Sequence, residues 1–266
     1  MQLAPIGFGT YLLDAPEPAR TAVRHAVETG YRHIDTAQEY RNEAAVAAGI
    51  ADADVDAAEV TVATKLQTDN LTPERVRASA EASAARLDVD TIDLLYVHWP
   101  LDTYDPDRTL PALDALVDDG LVAHIGLSNF RPDQLRAARE RLAHPIAAHQ
   151  VERHPLLPQR ELLAIARAWG HTLVAYTPIA RNAVAAEPAI ADAAAAAGIT
   201  PAQLALAWAL DTTGVVPIPK ATSPAHITEN YAATQHALSP AARAAVDGVD
   251  TRRRIVDFPA APWHHG

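Results

Sequence analysis

The chain has 266 residues, 49% of them hydrophobic, no cysteine and a formal net charge of −11. That length can bury a large core, either as one α/β barrel or as two smaller domains. The lack of cysteine excludes disulfides, thiolate chemistry and a cysteine-based metal site, and the acidic balance without a basic stripe argues against a nucleic-acid partner. No stretch is apolar and long enough to span a bilayer. The opening Met1-Gln2-Leu3-Ala4-Pro5 has neither the charged nor the apolar region of a signal peptide. A soluble, cytoplasmic monomer without a membrane partner is therefore expected. Of 22 basic residues only Lys65 and Lys220 are lysines. An acidic, lysine-poor, alanine-rich composition suits a salty cytoplasm, and GC-rich codon usage produces the same bias.

In chain order, apolar β-branched runs predict strands over Ile6–Gly9, His33–Asp35, Val60–Lys65, Ile92–His98, His124–Ser128, Ala147–Val151, Thr172–Tyr176 and Val215–Pro219. Patterns of helical period lie between them over Pro18–Thr29, Asn42–Ala51, Thr72–Leu87, Thr109–Asp118, Arg131–Leu142, Gln159–Trp169 and Pro188–Asp211, and Pro224–Ala232 follows the last strand. Thr72-Pro73, Ser223-Pro224 and Ser239-Pro240 each put a capping hydroxyl before a proline at the first helical position. Thr200-Pro201-Ala202-Gln203 reads as a capping box that splits Pro188–Asp211 into two helices. Gly30, Gly120, Gly170 and Gly198 each sit just past a helix. Eight strand–helix units without a linker predict a single (β/α)8 TIM barrel domain over residues 1–266. A doubly wound sheet is disfavoured, because Gly7-Phe8-Gly9 meets Leu12 where the third glycine of a dinucleotide fingerprint would stand.

In such a barrel, function sits at the C-terminal ends of the strands. Those ends carry Gly9-Thr10-Tyr11, Asp35 with Tyr40, Lys65, His98-Trp99, Ser128-Asn129, Gln150, Tyr176 and Lys220. Singly, each is more readily a cap or a carbonyl's partner than a functional group. As a set, Asp35, Tyr40, Lys65 and His98 have a chemical meaning. A free tyrosine titrates near 10. An ammonium beside it favours the phenolate and lowers that value, a carboxylate holds the ammonium in place, and a histidine can bond the oxygen that the tyrosine protonates. The set suits a carbonyl becoming an alcohol. Gly126-Leu127-Ser128-Asn129-Phe130 lacks the final glycine of a nucleophile elbow. His144, His149 and His154 do not have zinc-ligand spacing, so no metal is expected.

Gly30-Tyr31-Arg32-His33-Ile34-Asp35-Thr36-Ala37-Gln38-Glu39-Tyr40-Arg41-Asn42-Glu43, Thr64-Lys65, Leu95-Tyr96-Val97-His98-Trp99-Pro100 and Ile125-Gly126-Leu127-Ser128-Asn129-Phe130 resemble the successive signatures of the aldo-keto reductases. So do Gln150-Val151-Glu152 with His154-Pro155, Tyr176-Thr177-Pro178, and Ile218-Pro219-Lys220 leading to Glu229-Asn230. The chain is most similar to the small prokaryotic members that reduce 2,5-diketogluconate and methylglyoxal. The resemblance implies an NAD(P)H-dependent reductase of a small carbonyl substrate. Tyr40 would be its proton donor, tuned by Lys65 and Asp35, with His98 orienting the carbonyl. Ser128, Asn129 and Gln150 would hold the nicotinamide carboxamide, with Tyr176 stacked on the ring. The wider cofactor set it implies is Gly9, Thr10, Asp35, Thr177, Ile179, Lys220, Ala221, Thr222, Ser223, His226, Glu229 and Asn230.

The sequence also departs from the family pattern. Ala221 and His226 stand where members selective for NADP commonly have serine and arginine. NADPH is therefore expected, with NADH discriminated against less strongly. His149 and Arg153 stand where asparagine and tyrosine are common, and His149 should point away from Gln150 along the strand. Tyr11 and Trp99, with Asp102–Arg108 and Arg252–Trp263, are expected to line an open substrate mouth. Two other readings are a nicotinamide-binding sensor with little turnover and a barrel using Lys65 as a Schiff base. The intact set of four argues against the first, and pairing of Lys65 with a carboxylate against the second.

Overall fold

The computed structural model describes residues 1–265. Its strands are β1 (Phe8–Gly9), β2 (His33–Asp35), β3 (Thr61–Leu66), β4 (Leu94–Val97), β5 (Ile125–Ser128), β6 (Ile146–Glu152), β7 (Thr172–Tyr176) and β8 (Val215–Pro217). All neighbours pair in parallel in sequence order. The sheet curls back on itself where Gly7 N–H donates to the Pro217 carbonyl and Gly9 N–H to that of Pro219, each at 3.0 Å. This is the expected (β/α)8 barrel. The helices are α1 (Pro16–Thr29), α2 (Glu43–Ala51), α3 (Pro73–Leu87), α4 (Pro106–Asp118), α5 (Pro132–Arg141), α6 (Arg160–Trp169), α7 (Pro188–Ala197), α8 (Pro201–Leu210), α9 (Pro224–Ala232) and α10 (Pro240–Asp247).

Two apolar layers account for the near-continuous hydrophobic runs of the strands. Outward residues such as Leu95, Leu127 and Leu173 pack under the helices. Inward ones, including Ala63, Leu94, Tyr96, Ala148 and Val174, fill the barrel. Because side chains alternate along a strand, each inward column turns polar toward the C-terminal end. Ala63 is followed by Lys65, Gly126 by Ser128, Ala148 by Gln150 and Val174 by Tyr176. The apolar plug thus becomes the floor of a polar site. Gly126 has a steric reason to be glycine, since a Cβ there would overlap the Tyr96 ring on the neighbouring strand.

Local signals were read correctly in most places. Thr200 accepts from Gln203 N–H and completes a capping box, so α7 and α8 are separate. Ser223 and Ser239 cap α9 and α10, whereas Thr72 precedes α3 without a side-chain cap bond. Helix α4 starts three residues before the predicted Thr109. Asp105 accepts from Asp107 N–H and Pro106 occupies the first position, a cap signal that the apolar period alone misses. Helix α10 follows Ser239-Pro240 but is too short for its period to stand out.

His33 and His149 are fully buried, and no ring nitrogen of either has a hydrogen-bond partner. Burial lowers His33 to about 4 and His149 to about 3. An unfolded histidine titrates near 6.5. The folded values lie below that, so between the two the unfolded chain binds more protons and stability rises with pH. Their contribution is complete above about pH 6.5 and is lost as pH falls toward 4. Between pH 6.5 and 5 these two should contribute roughly 2 kcal/mol of the unfolding free energy lost per pH unit in denaturant melts, to which the likewise lowered His98 and His171 add. His149→Gln should reduce the measured slope by roughly 1 kcal/mol per pH unit, and an unchanged slope in the variant would refute the assignment.

Candidate active site

A cleft of about 720 Å3 opens at the C-terminal ends of the strands. Asp35, Ser128, Gln150 and Tyr176 reach it from β2, β5, β6 and β7, and His98 from just past β4. Tyr40 enters from a 3₁₀ turn, Gln38–Tyr40. That turn is pinned from several sides. Thr36 Oγ1 donates to Asn42 Oδ1 at 2.6 Å, Asn42 Nδ2 donates to the Thr10 carbonyl at 3.0 Å, and Gln38 Oε1 accepts from Gln67 N–H at 3.0 Å. Arg41, at φ 54°, turns the chain away into α2.

Beneath Tyr40 lies a buried ion pair. Lys65 Nζ is 2.5 Å from Asp35 Oδ1 and also donates to the Thr36 carbonyl at 2.8 Å. Asp35 Oδ2 accepts from Gln150 Nε2 at 2.6 Å, so both carboxylate oxygens are engaged. The ammonium sits 5.1 Å from the centre of the Tyr40 ring. The His98 ring meets that of Tyr40 edge-on at 5.8 Å. All four residues of the predicted set therefore converge.

The electrostatics correct one expectation. Tyr40 is not depressed: burial, and then the carboxylates of Asp35 and Glu39, hold it well above its ordinary value. The positive charge of Lys65 goes to Asp35 rather than to the phenol. Lys65 itself is lowered by burial, against the pull of Asp35. Burial, helped by Lys65, also keeps His98 well below its ordinary value, hence neutral at pH 7. The site holds a protonated phenol beside a neutral imidazole.

The opposite wall carries the amide groups. Ser128 Oγ donates to the Gln150 carbonyl at 3.0 Å, and Asn129 Nδ2 donates to the His98 carbonyl and to Ser128 Oγ, each at 3.0 Å. Tyr176 O–H donates to Asn129 Oδ1 at 2.9 Å. Asn129 sits in the left-handed region at φ 65°, which asparagine tolerates better than most residues. Thr177, at φ 50°, adopts it against the preference of a β-branched residue, backbone strain held where Tyr176 must face the cleft.

The remaining predicted residues divide. Gly9, Thr177, Ile179 and Lys220 line the cleft. Thr10 is fully buried and donates to the Asp35 carbonyl at 3.0 Å, a supporting position. Ala221 is buried in the apolar cluster around α1. Thr222 accepts from Lys220 Nζ at 3.1 Å, and Ser223 takes the His226 N–H at 3.3 Å. Glu229 accepts from Thr200 Oγ1 at 3.0 Å, and Asn230 is buried on α9. None of these six lines the cleft. They lie beyond Lys220, at the start of α9 and along it.

Tyr11 and Trp99 line the mouth, with Tyr11 5.2 Å from the Tyr40 ring. Of the two segments expected there, Asp102 but not the rest of Asp102–Arg108 reaches the cleft. Arg252–Trp263 contributes Val256, Phe258 and Ala260, and Trp263 packs on Trp99 at 5.7 Å. Sequence reasoning missed what holds that tail. The buried Glu152 carboxylate accepts the N–H groups of Ile255 and Val256 at 2.6 and 2.7 Å and bonds His154 Nε2 at 2.8 Å. A glutamate directly after the apolar run of a predicted strand was the available signal. His149 points outward, 6.3 Å from the His171 ring, as strand alternation requires.

A model of the aldo/keto reductase family matches residues 5–251. A methylglyoxal reductase of Escherichia coli O157:H7 is 34% identical, covering 96% of each chain. A solved structure provisionally assigned as a 2,5-diketo-D-gluconic acid reductase B superposes with a TM-score of 0.92 at 34% identity, covering 97% of this chain and 92% of the other. A Bombyx mori aldo-keto reductase in complex with NADP superposes with a TM-score of 0.87 at 28% identity, covering 96% and 91%.

Removing one partner of a buried ion pair strands the other charge. Asp35→Asn should therefore cost about 3–5 kcal/mol of stability in denaturant melts. The double variant Asp35→Asn/Lys65→Met should recover more than half of that loss. Additive losses would contradict the pairing.

Proposed function

Because the chain belongs to the aldo/keto reductase family and is an enzyme that reduces carbonyl compounds with NAD(P)H, we propose that Tyr40 is its proton donor. The observation that carries this is the placement of Tyr40 in the cleft above the buried Lys65–Asp35 pair, beside the neutral His98. A phenol held above its ordinary pKa keeps its proton until a stronger base appears. The alkoxide forming at the carbonyl is such a base. Proton transfer from Tyr40 is thereby tied to reduction and does not precede it. His98, uncharged, positions the carbonyl oxygen by hydrogen bonding without competing to protonate it. Lys65, held by Asp35, stabilises the phenolate as it develops.

The wall of Ser128, Asn129, Gln150 and Tyr176 fits a nicotinamide, since a hydroxyl, two primary amides and a phenol match the donors and acceptors of a carboxamide and one face of its ring. When bound, the dinucleotide supplies the hydride. At the other end of the cleft Lys220 is a cation with no carboxylate within 4.0 Å among the described residues, next to the start of α9. This supports a phosphate there, and so NADPH. Ala221 brings no side-chain donor, and the His226 N–H is already taken by Ser223. One charge-assisted bond is worth about 1.5–3 kcal/mol, which converts to about a 10- to 150-fold preference for NADPH. Ratios of kcat/KM for NADPH over NADH should fall in that range, and Lys220→Ala should bring the ratio near unity. A preference of several thousandfold would overturn this account.

An aromatic mouth of Tyr11, Trp99 and Phe258 over a polar floor suits small aldehydes and dicarbonyls. Methylglyoxal, which the E. coli relative is named for, is the first substrate to test. With it, Tyr40→Phe should lower kcat by about 10²–10⁴ with little change in KM, followed as loss of NADPH absorbance. Full activity in the variant would refute the role of Tyr40.

A further inference from the structure

On the outside of the barrel, a second pocket of about 130 Å3 lies between α6, α8 and α10 and shares no lining residue with the active cleft. That volume is well above the ~10–15 Å3 that a single water needs. Its lining includes Arg153, Arg160, Arg167, Arg243 and Arg252, with Asp247 the sole carboxylate. In a chain of net charge −11, five guanidinium groups around one small pocket are not a consequence of composition.

The central member is Arg153, which is 1% exposed. Its Nε and Nη1 have no hydrogen-bond partner, and Nη2 reaches only Thr212 Oγ1 at 3.4 Å. The guanidinium carbon lies 4.1 Å over the Trp208 ring, which satisfies one face of the cation but none of its N–H donors. Among the described residues no carboxylate comes within 4.0 Å of Arg153, Arg160, Arg167 or Arg252. Asp247 is shared between Arg243, 3.4 Å away, and the Trp208 indole N–H. Burial and the neighbouring Arg243 and Arg167 lower Arg153 to about 10, so it still carries its charge at neutral pH. A buried cation with unmet donors is a costly arrangement that an anion would relieve.

We propose that this pocket binds a small oxyanion, a phosphate group in its simplest form, on the guanidinium groups of Arg153 and the exposed Arg160, Arg167 and Arg252. Guanidinium forks match the geometry of phosphate oxygens. The site also has a structural consequence. Arg153 directly follows Glu152, which holds the backbone of Ile255 and Val256, and Arg252 begins the same segment. A bound anion would bridge the two ends of that clasp and reinforce the tail that walls the cleft.

The test is thermal melting of the full chain against increasing inorganic phosphate, with ionic strength held constant by chloride. A ligand that binds only the folded state raises the midpoint with concentration. Phosphate should raise it and chloride should not. Lys220→Ala, which removes the cation of the proposed cofactor-phosphate site, should keep the rise. Arg153→Met should abolish it. Arg252→Ala, at an exposed position whose Nη1 donates only to the nearby Val249 and Thr251 carbonyls, should weaken the apparent phosphate affinity about tenfold or more. An equal rise with chloride, its loss in Lys220→Ala, or its survival in Arg252→Ala at undiminished affinity would each overturn the proposal.

Discussion

The site depends on one buried contact, that between Lys65 and Asp35. Neither charge could be held inside the barrel alone, because the cost of taking an ion from water is met only when a partner and hydrogen bonds replace the solvent. Lys65 is fully buried, and its ammonium is shared between the carboxylate and the Thr36 carbonyl. Asp35 is engaged on its other oxygen by Gln150. The contact therefore ties β2 to β3 on one side and reaches across the barrel to β6. With Thr10 on the Asp35 carbonyl and Asn42 on the Thr10 carbonyl, it also fixes where the turn carrying Tyr40 can lie.

The same contact sets the electrostatics. Burial first, and then the Asp35 carboxylate that takes up the charge of Lys65, holds the Tyr40 phenol above its ordinary value, a finding opposite to what proximity of an ammonium and a phenol suggests. A preformed phenolate would be no proton donor. A phenol poised over a paired ammonium gives up its proton only when a stronger base forms above it. The near-absence of lysine elsewhere fits this use. A compact ammonium on a flexible stem fits a closed barrel interior, where a planar guanidinium with five donors would leave several unmet. Arginine is kept for the exterior, and Arg153, the one fully buried guanidinium among the described residues, shows the cost of the exchange through its unpartnered nitrogens.

A second constraint sits across the cleft. The buried Glu152 carboxylate binds the backbone of the C-terminal segment, so the residues that shape the mouth, Val256 and Phe258, are held by a strand-end side chain more than a hundred positions earlier. Trp99 packs against both Phe258 and Trp263 and completes that wall. Floor and mouth are thus built by the same device, a buried carboxylate satisfied from two directions.

The alternation of apolar strands with amphipathic helices was enough to specify the barrel, because a strand buried on both faces and a helix buried on one leave different periods in the chain. The polar strand ends were legible for the same reason: each interrupts an apolar column at a predictable place, which is how Asp35, Lys65, Ser128 and Gln150 stood out. The start of helix α4, the short helix α10 and the exact bounds of short strands were not legible, since caps and closure are decided by a few bonds that leave no period. The pairing of Lys65 with Asp35 was expected from their strand-end positions, but not its distance or the contact of Gln150 with the same carboxylate. Lys65 is thirty positions from Asp35 and Gln150 far beyond, and only the closed barrel brings them within hydrogen-bond distance. Sequence alone determined which residue types face the cleft. Tertiary structure decided their protonation, because burial and pairing distances, which set pKa values, exist only once the strands have closed.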